Sequence, residues 1–189
     1  RYGSWALVTG ASSGIGKEIA ERLAEAGLNL CIVARRKTAL EEFATLLRTN
    51  YRVEVLVIEA DLSETSGNET VLNAIQNLDV GLLVASAGFG TSGFFADNTL
   101  DEEQQMLAVN CASLLALTHH CSRVFKARKK GGIILLSSLV AFQGVPYSAH
   151  YAATKAYVQS LAEALYHELK PFGVDVLAAA PGPVSSGFA

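Results

Sequence analysis

Short runs that are apolar from end to end alternate with helical patterns along the whole chain, and no other feature narrows the fold so far. The runs are "WALVT" (5–9), "LCIVA" (30–34), "VEVLVIEA" (53–60), "GLLVAS" (81–86), "GIILLSS" (132–138) and "VDVLAAA" (174–180). A strand with one wet face alternates polar and apolar residues. A run without that alternation is covered on both faces, as parallel strands are when crossover helices pack above and below. Helical patterns fill the gaps. From Gly14 onward, Ile15, Ile19, Leu23 and Ala26 fall on one face, and Gly27 suits the helix end. Further helices are expected from Thr38, as N-cap, to Thr49, from Asn68 to Gln76, from Leu100 into the 120s, and from Ser148 to Leu169. The expectation is an α/β fold: a doubly wound parallel sheet of six strands with right-handed crossovers and helices on both faces, in one domain spanning 1–189. In such sheets ligands bind beyond the carboxyl ends of the strands, so every strand-to-helix turn is a candidate for chemistry.

The turn after the first run, "TGASSGIG" (9–16), has glycines at 10, 14 and 16. Gly10 permits a sharp exit from the strand, Gly14 clears space for a pyrophosphate, and Gly16 lets helix and sheet pack closely. The helix N-terminus offers free N–H groups and positive dipole to phosphates, and Ser12 and Ser13 add hydroxyls. Gly10, Ser12, Ser13, Gly14, Ile15 and Gly16 thus form a candidate dinucleotide cradle, which makes the expected sheet Rossmann-type. After the second run stand Arg35 and Arg36, where an enzyme preferring NAD carries an acid for the ribose 2′-hydroxyl. Guanidinium forks match a phosphate, so NADP(H) is expected over NAD(H).

Tyr151 and Lys155 lie four residues apart in a helical stretch, hence on one face. A phenol titrates near pH 10, and a neighbouring ammonium is expected to lower it toward the range of general acid–base catalysis. Ser138 closes the fifth run, where its hydroxyl faces the crevice; Ser137 points to the opposite face if the strand stays regular. Asn110 sits in an apolar helix and needs buried partners, such as a bridge to the backbone.

The G-x-x-x-G-x-G spacing, together with Tyr151-x-x-x-Lys155, resembles the short-chain dehydrogenase/reductase family, over nearly the whole chain. The resemblance implies an oxidoreductase moving hydride between a nicotinamide cofactor and a carbonyl or alcohol, as in ketone and ketoacyl reductases. It gives Ser138, Tyr151 and Lys155 catalytic roles and gives Asn110 a main-chain kink and a water that returns the proton. It makes Asp61 and Leu62 adenine contacts and sets Ser86, Ala87 and Gly88 against the cofactor, with Ser86 replacing the usual strand-bracing Asn. It puts Pro181, Gly182, Val184 and Ser186 beside the nicotinamide. It also implies a homodimer or homotetramer, and a substrate lid, helix and seventh strand beyond Ala189. Two rivals are a non-catalytic NADP-binding regulator, which would be expected to lose Tyr151 or Lys155, and a sugar-nucleotide epimerase or dehydratase, which usually has a tighter glycine motif and a longer substrate domain.

Composition narrows the partners. Half the residues are hydrophobic and 17% charged, below the usual share of about 25%, which fits a covered sheet and surface hidden in an oligomer. Net charge is −3 and no basic run is longer than "KARKK" (126–130), so nucleic acid is not an expected partner. Cys31, Cys111 and Cys121 form no CxxC or Cys/His cluster; core thiols in a cytoplasmic setting are expected, and no metal site. No apolar run is long enough for a membrane span, and "RYGSWALVTG" is not expected to be a signal peptide. Phe89, Phe94, Phe95, Phe142, Val145 and Tyr147 suggest an apolar small-molecule substrate.

Overall fold

The computed structural model describes residues 2–183; Val184 and Ser186 lie outside the described residues. The strands are β1 (Trp5–Thr9), β2 (Asn29–Ala34), β3 (Val55–Glu59), β4 (Val80–Ala85), β5 (Gly131–Leu136) and β6 (Val174–Ala179). The helices are α1 (Gly14–Glu25), α2 (Lys37–Tyr51), α3 (Thr65–Ile75), α4 (Leu100–Leu107), α5 (Leu114–Arg128) and α6 (Ala149–Leu169). All six strands are parallel, in the order β3-β2-β1-β4-β5-β6. The chain winds outward from β1 to β3, returns to β4 beside β1, and winds out the other way. The expected Rossmann-type doubly wound sheet is therefore what forms.

Alternate strand residues feed two cores. Ala6, Val8, Leu30, Ile32 and Val84 pack on Ala20 and Ala24 of α1 and on Leu40, Phe43 and Leu47 of α2. Leu7, Cys31, Leu83, Ile133 and Leu135 face the other way, onto Val71 of α3, Leu117 and Phe125 of α5, and Val158 of α6. This two-sided burial is why the runs carry no polar alternation. β6 is the exception: α6 covers the face carrying Val174 and Val176, and on the other face Leu177 is 56% exposed. The three cysteines are buried and free, and burial pushes their thiols up, to about 12 for Cys31 and Cys121 and about 11 for Cys111. They are inert core thiols.

Three of the boundaries that differ from expectation have a local reason. Thr38 is not an N-cap: α2 begins at Lys37, with Arg36 in the cap position and no side-chain cap bond. α3 begins three residues before Asn68, since Asp61 accepts from both the N–H and the hydroxyl of Ser63 and turns the chain early. The long helix expected from Leu100 is broken by a π turn, Ala108–Ser113, around Asn110.

Gly67 allows α3 to meet the end of β3. A Cβ there would lie 1.9 Å from the Asp61 carbonyl oxygen, a main-chain atom that cannot swing aside. Gly67→Ala is expected to destabilise the fold by about 1–3 kcal/mol in urea unfolding, as overpacking does.

Candidate active site

Every turn singled out in the sequence, as far as residue 183, lies on the carboxyl edge of the sheet. The glycine turn joins β1 to α1. Gly10 and Gly14 have φ of +67° and +57°, the left-handed region open to glycine. A Cβ at Gly16 would lie 2.5 Å from the Gly10 oxygen, so only glycine lets α1 enter so close to the turn. Ser13 is exposed, Ser12 and Ile15 half-buried, and the first turn of α1 carries no acidic residue. An N-terminus with free N–H groups, no opposing carboxylate and a close backbone fits the phosphates of a dinucleotide.

Arg35 and Arg36 are exposed at the end of β2. Asp61, after β3, is held below its ordinary value by the Ser63 side-chain and main-chain hydrogen bonds, with a contribution from Arg35. Leu62 beside it is buried. Beyond β4, the N–H groups of Ser86 and Ala87 both donate to Thr9 Oγ1, each at 3.1 Å. Thr9, not Ser86, braces the two strand ends.

Asn110 reaches that exit from the π turn. Its Oδ1 accepts from Phe89 N at 3.1 Å, and its Nδ2 donates to Phe89 O at 2.9 Å and to Thr154 Oγ1 at 3.1 Å. The expected bridge to the backbone is present. A Cβ at Gly88 would lie 2.9 Å from Asn110 Oδ1 and 3.5 Å from Lys155 Nζ, so Gly88, Asn110 and Lys155 meet at one point.

Ser137 and Ser138 separate as their alternation demands. Ser137 is buried and donates to the Lys155 carbonyl at 3.2 Å. Ser138 is half-buried, and its side chain hydrogen-bonds Tyr151. Leu139 N donates to Pro181 O at 3.1 Å, and a Cβ on Gly182 would lie 3.2 Å from Leu139 Cδ1, so the Pro181–Gly182 segment runs beside the serine turn.

Tyr151 occupies the first turn of α6, and Lys155 lies one turn on with its Nζ 5.7 Å from the phenol ring centroid. The ammonium is buried and donates to Leu136 O at 2.8 Å. The expected lowering of the phenol by Lys155 is not found. Burial holds Tyr151 above its ordinary value against the Ser138 hydrogen bond, while burial pulls Lys155 down to about 8. The ammonium is turned to the Leu136 carbonyl, and for the phenol the loss of solvent dominates.

Sequence reading missed Thr9, Thr154 and Glu103. A Thr in an apolar run reads as an ordinary β-branched residue. Thr154, which also donates to the Tyr151 carbonyl at 2.8 Å, lies within the Tyr-x-x-x-Lys spacer. Glu103 is buried on α4. Burial pushes its carboxyl up, but hydrogen bonds from Thr91, His150 and Asn98 and the nearby His150 charge prevail and hold it below its ordinary value. Among the described residues, no group of His, Cys, Asp and Glu is placed to hold a metal ion, and no helix is long and apolar enough to cross a membrane.

Residues 4–189 match the model of the short chain dehydrogenase family. The chain is 35% identical to a 7beta-hydroxysteroid dehydrogenase of Collinsella aerofaciens over 93% of its length and 67% of that protein. It is 37% identical to a very-long-chain 3-oxoacyl-CoA reductase of Podospora anserina over 93% of its length and 53% of that protein. A short-chain dehydrogenase from Sphingobium yanoikuyae, solved in complex with NADPH, superposes with a TM-score of 0.94 at 33% identity, covering 97% of this chain and 72% of that one. The chain belongs to the short-chain dehydrogenase family, nicotinamide-dependent oxidoreductases of carbonyl and alcohol groups.

The buried ammonium has a measurable consequence. Lys155 titrates near 8 in the folded chain and at its ordinary 10.5 when unfolded. Between those values the unfolded chain binds more protons, so this group's contribution to stability improves as pH rises through the window. Wild type should therefore gain on Lys155→Met between pH 8 and 10.5, by on the order of 1–3 kcal/mol in urea unfolding. A gap constant with pH would show that the ammonium is not desolvated.

Proposed function

We propose that the protein reduces ketones with NADPH, using Tyr151 as the proton donor. The observation that carries this reading is the convergence of Ser138, Tyr151 and Lys155 on one wall of the crevice, backed by Gly88 and Asn110. When bound, the nicotinamide supplies the hydride. Ser138 orients the carbonyl oxygen through its hydroxyl, and Tyr151 gives that oxygen its proton. A phenol held above its ordinary value stays protonated at neutral pH, the state that reduction requires. Lys155 would hold the nicotinamide ribose. With its side-chain amide engaged by Phe89 and Thr154, Asn110 would return the proton to Tyr151 through water by way of the π-turn main chain.

The phosphates would lie on Gly10, Ser12, Ser13, Gly14, Ile15 and Gly16. Asp61 and Leu62 would meet the adenine, with Ser86, Ala87, Gly88, Pro181 and Gly182 along the cofactor. Arg35 and Arg36, with no acid at the end of β2, support NADP(H) over NAD(H). The relative in complex with NADPH supports the same choice. Phe94, Phe95, Phe142 and Tyr147, 58–65% exposed above the site, suit a bulky apolar ketone. The activities of two relatives, on a hydroxysteroid and on a very-long-chain 3-oxoacyl thioester, fit that wall.

Assembly and setting belong to the same reading. Leu107, Leu115 and Tyr157 are exposed beside Ala112 and Ala153 in an apolar groove between α5 and α6. We read it as the contact of a homodimer or homotetramer. Three free buried cysteines accord with the cytoplasm.

Tyr151→Phe keeps the ring and removes the proton. Turnover of an apolar ketone should fall by about 10²–10⁴-fold while NADPH titration by fluorescence is unchanged. Near-normal turnover would end the reading. Replacing Arg35 and Arg36 together with Ala should weaken NADPH far more than NADH; equal losses would remove the basis for the cofactor choice. Leu115→Glu should give monomers by light scattering where the wild type gives dimers or tetramers.

A further inference from the structure

The reaction as proposed makes no use of Glu103, a carboxyl group only 4% exposed. A carboxylate buried to that degree is retained only when its partners compensate for lost water. Glu103 has three. Its Oε1 accepts from Thr91 Oγ1 and from Asn98 Nδ2, each at 2.8 Å, and its Oε2 lies 2.5 Å from His150 Nδ1. A carboxylate only accepts, so Nδ1 of His150 carries the hydrogen. The partners come from both ends of the loop between β4 and α4 and from the first turn of α6. One side chain thus ties two points of the loop to a helix more than forty residues further along the chain.

The tied loop touches both halves of the site. A Cβ at Gly90 would lie 3.1 Å from Cγ and Cδ2 of Tyr151, so the start of the loop rests on the phenol ring. Farther along, Gly93 N donates to Tyr147 O at 2.9 Å, and the Phe94 and Tyr147 rings meet edge-on with centroids 5.1 Å apart. Tyr147 is held at a φ of +65°, a left-handed backbone that a bulky residue adopts only when its surroundings impose it. His150, the third partner of Glu103, directly precedes Tyr151 in α6.

We propose that Glu103 is a positioning residue: by holding Thr91, Asn98 and His150 together it fixes the β4–α4 loop against the Tyr151 ring and sets the wall that receives the apolar part of the substrate. The inference rests on the reading of Tyr151 as proton donor and of Phe94 and Tyr147 as substrate wall. It takes Glu103 to act through the loop, on KM through the aromatic wall and on kcat through the phenol, with the nucleotide end of the crevice untouched.

The test compares Glu103→Ala and Glu103→Gln with wild type on an apolar ketone and NADPH. Alanine leaves three donors unpaired. Glutamine keeps an acceptor for Thr91 and Asn98 and can donate to His150 in its other tautomer. In Glu103→Ala, kcat/KM should fall by about 10²-fold through both KM and kcat, the loss that follows a small misplacement of reacting groups. NADPH affinity should stay at the wild-type value. Hydrogen exchange should accelerate at residues 90–98 and 147–151, while β1 and β5 keep their protection. Glu103→Gln should recover most of the activity and the protection. Wild-type KM and kcat in Glu103→Ala would overturn the proposal. So would a parallel loss of NADPH binding and strand protection, which would mark a purely global effect. If wild type reduces no ketone while exchange at the two segments responds as expected, the reading of the reaction fails and the positioning role stands.

Discussion

At the end of β1 a single hydroxyl accepts two successive main-chain N–H groups. Thr9 Oγ1 takes the N–H of Ser86 and of Ala87, both at 3.1 Å, just past the last paired residues of β1 and β4, Thr9 and Ala85. This is where the winding of the sheet reverses, so the two exits part and their N–H groups run out of ladder partners. An unpaired N–H in so dry a place costs about 1–3 kcal/mol. Thr9 satisfies two at once, and in doing so turns the chain after β4 inward. That turn carries Gly88 to Asn110 and Lys155, and it puts Ala87 where Gly10 must have no side chain, since a Cβ there would lie 2.9 Å from the Ala87 Cα. The crevice is open because the strands diverge, and it is rigid because their exits are tied.

Asn110 extends the same constraint to the other side. A regular helix from Leu100 to Arg128 would present one continuous ladder. The π turn at Ala108–Ser113 instead swings the amide toward Phe89, where it meets both main-chain groups of that residue. Such turns recur at functional sites because they re-aim one side chain without ending the helix. Thr154 then connects Asn110 to the Tyr151 carbonyl, so the first turn of α6 and the exit of β4 share one hydrogen-bonded group. The exits of β1 and β4 and the first turn of α6 are braced by the same few polar atoms.

The sheet was legible because burial on both faces removes polar alternation, and the central runs carry that mark most plainly, whereas β6 has an exposed face. The glycine turn was legible because close backbone approach admits no other residue there. The pairing of Ser138 with Tyr151, and the turning away of Ser137, followed from strand alternation together with the family resemblance. Other parts left no mark in the sequence. Thr9 looks like any β-branched strand residue, and its role exists only because β4, over seventy positions away in the chain, ends beside it. Glu103 reads as one more acid in the first turn of a helix beside Asp101 and Glu102, and only the folded loop shows that it alone is buried. Thr38 misled because a good capping residue was assumed to cap, whereas Arg36 already held the extended backbone before α2. Long-range pairing and the depth of a charge below the surface are properties of the tertiary structure, and local pattern does not encode them.

The Tyr–Lys spacing shows the same limit in its chemistry. Four residues of helix guarantee that the two side chains share a face; they do not decide where the ammonium points. Here Nζ passes over the ring, 5.7 Å from its centroid, and goes on to the Leu136 carbonyl. Burial then acts on the two groups in opposite directions to one end, favouring the uncharged form of each. The lysine, near 8, keeps its charge at neutral pH only by a narrow margin. Burial holds the phenol above its ordinary value, against the Ser138 hydrogen bond. The protonation state of Tyr151 is therefore set by how little water reaches it, more than by the neighbour its spacing provides.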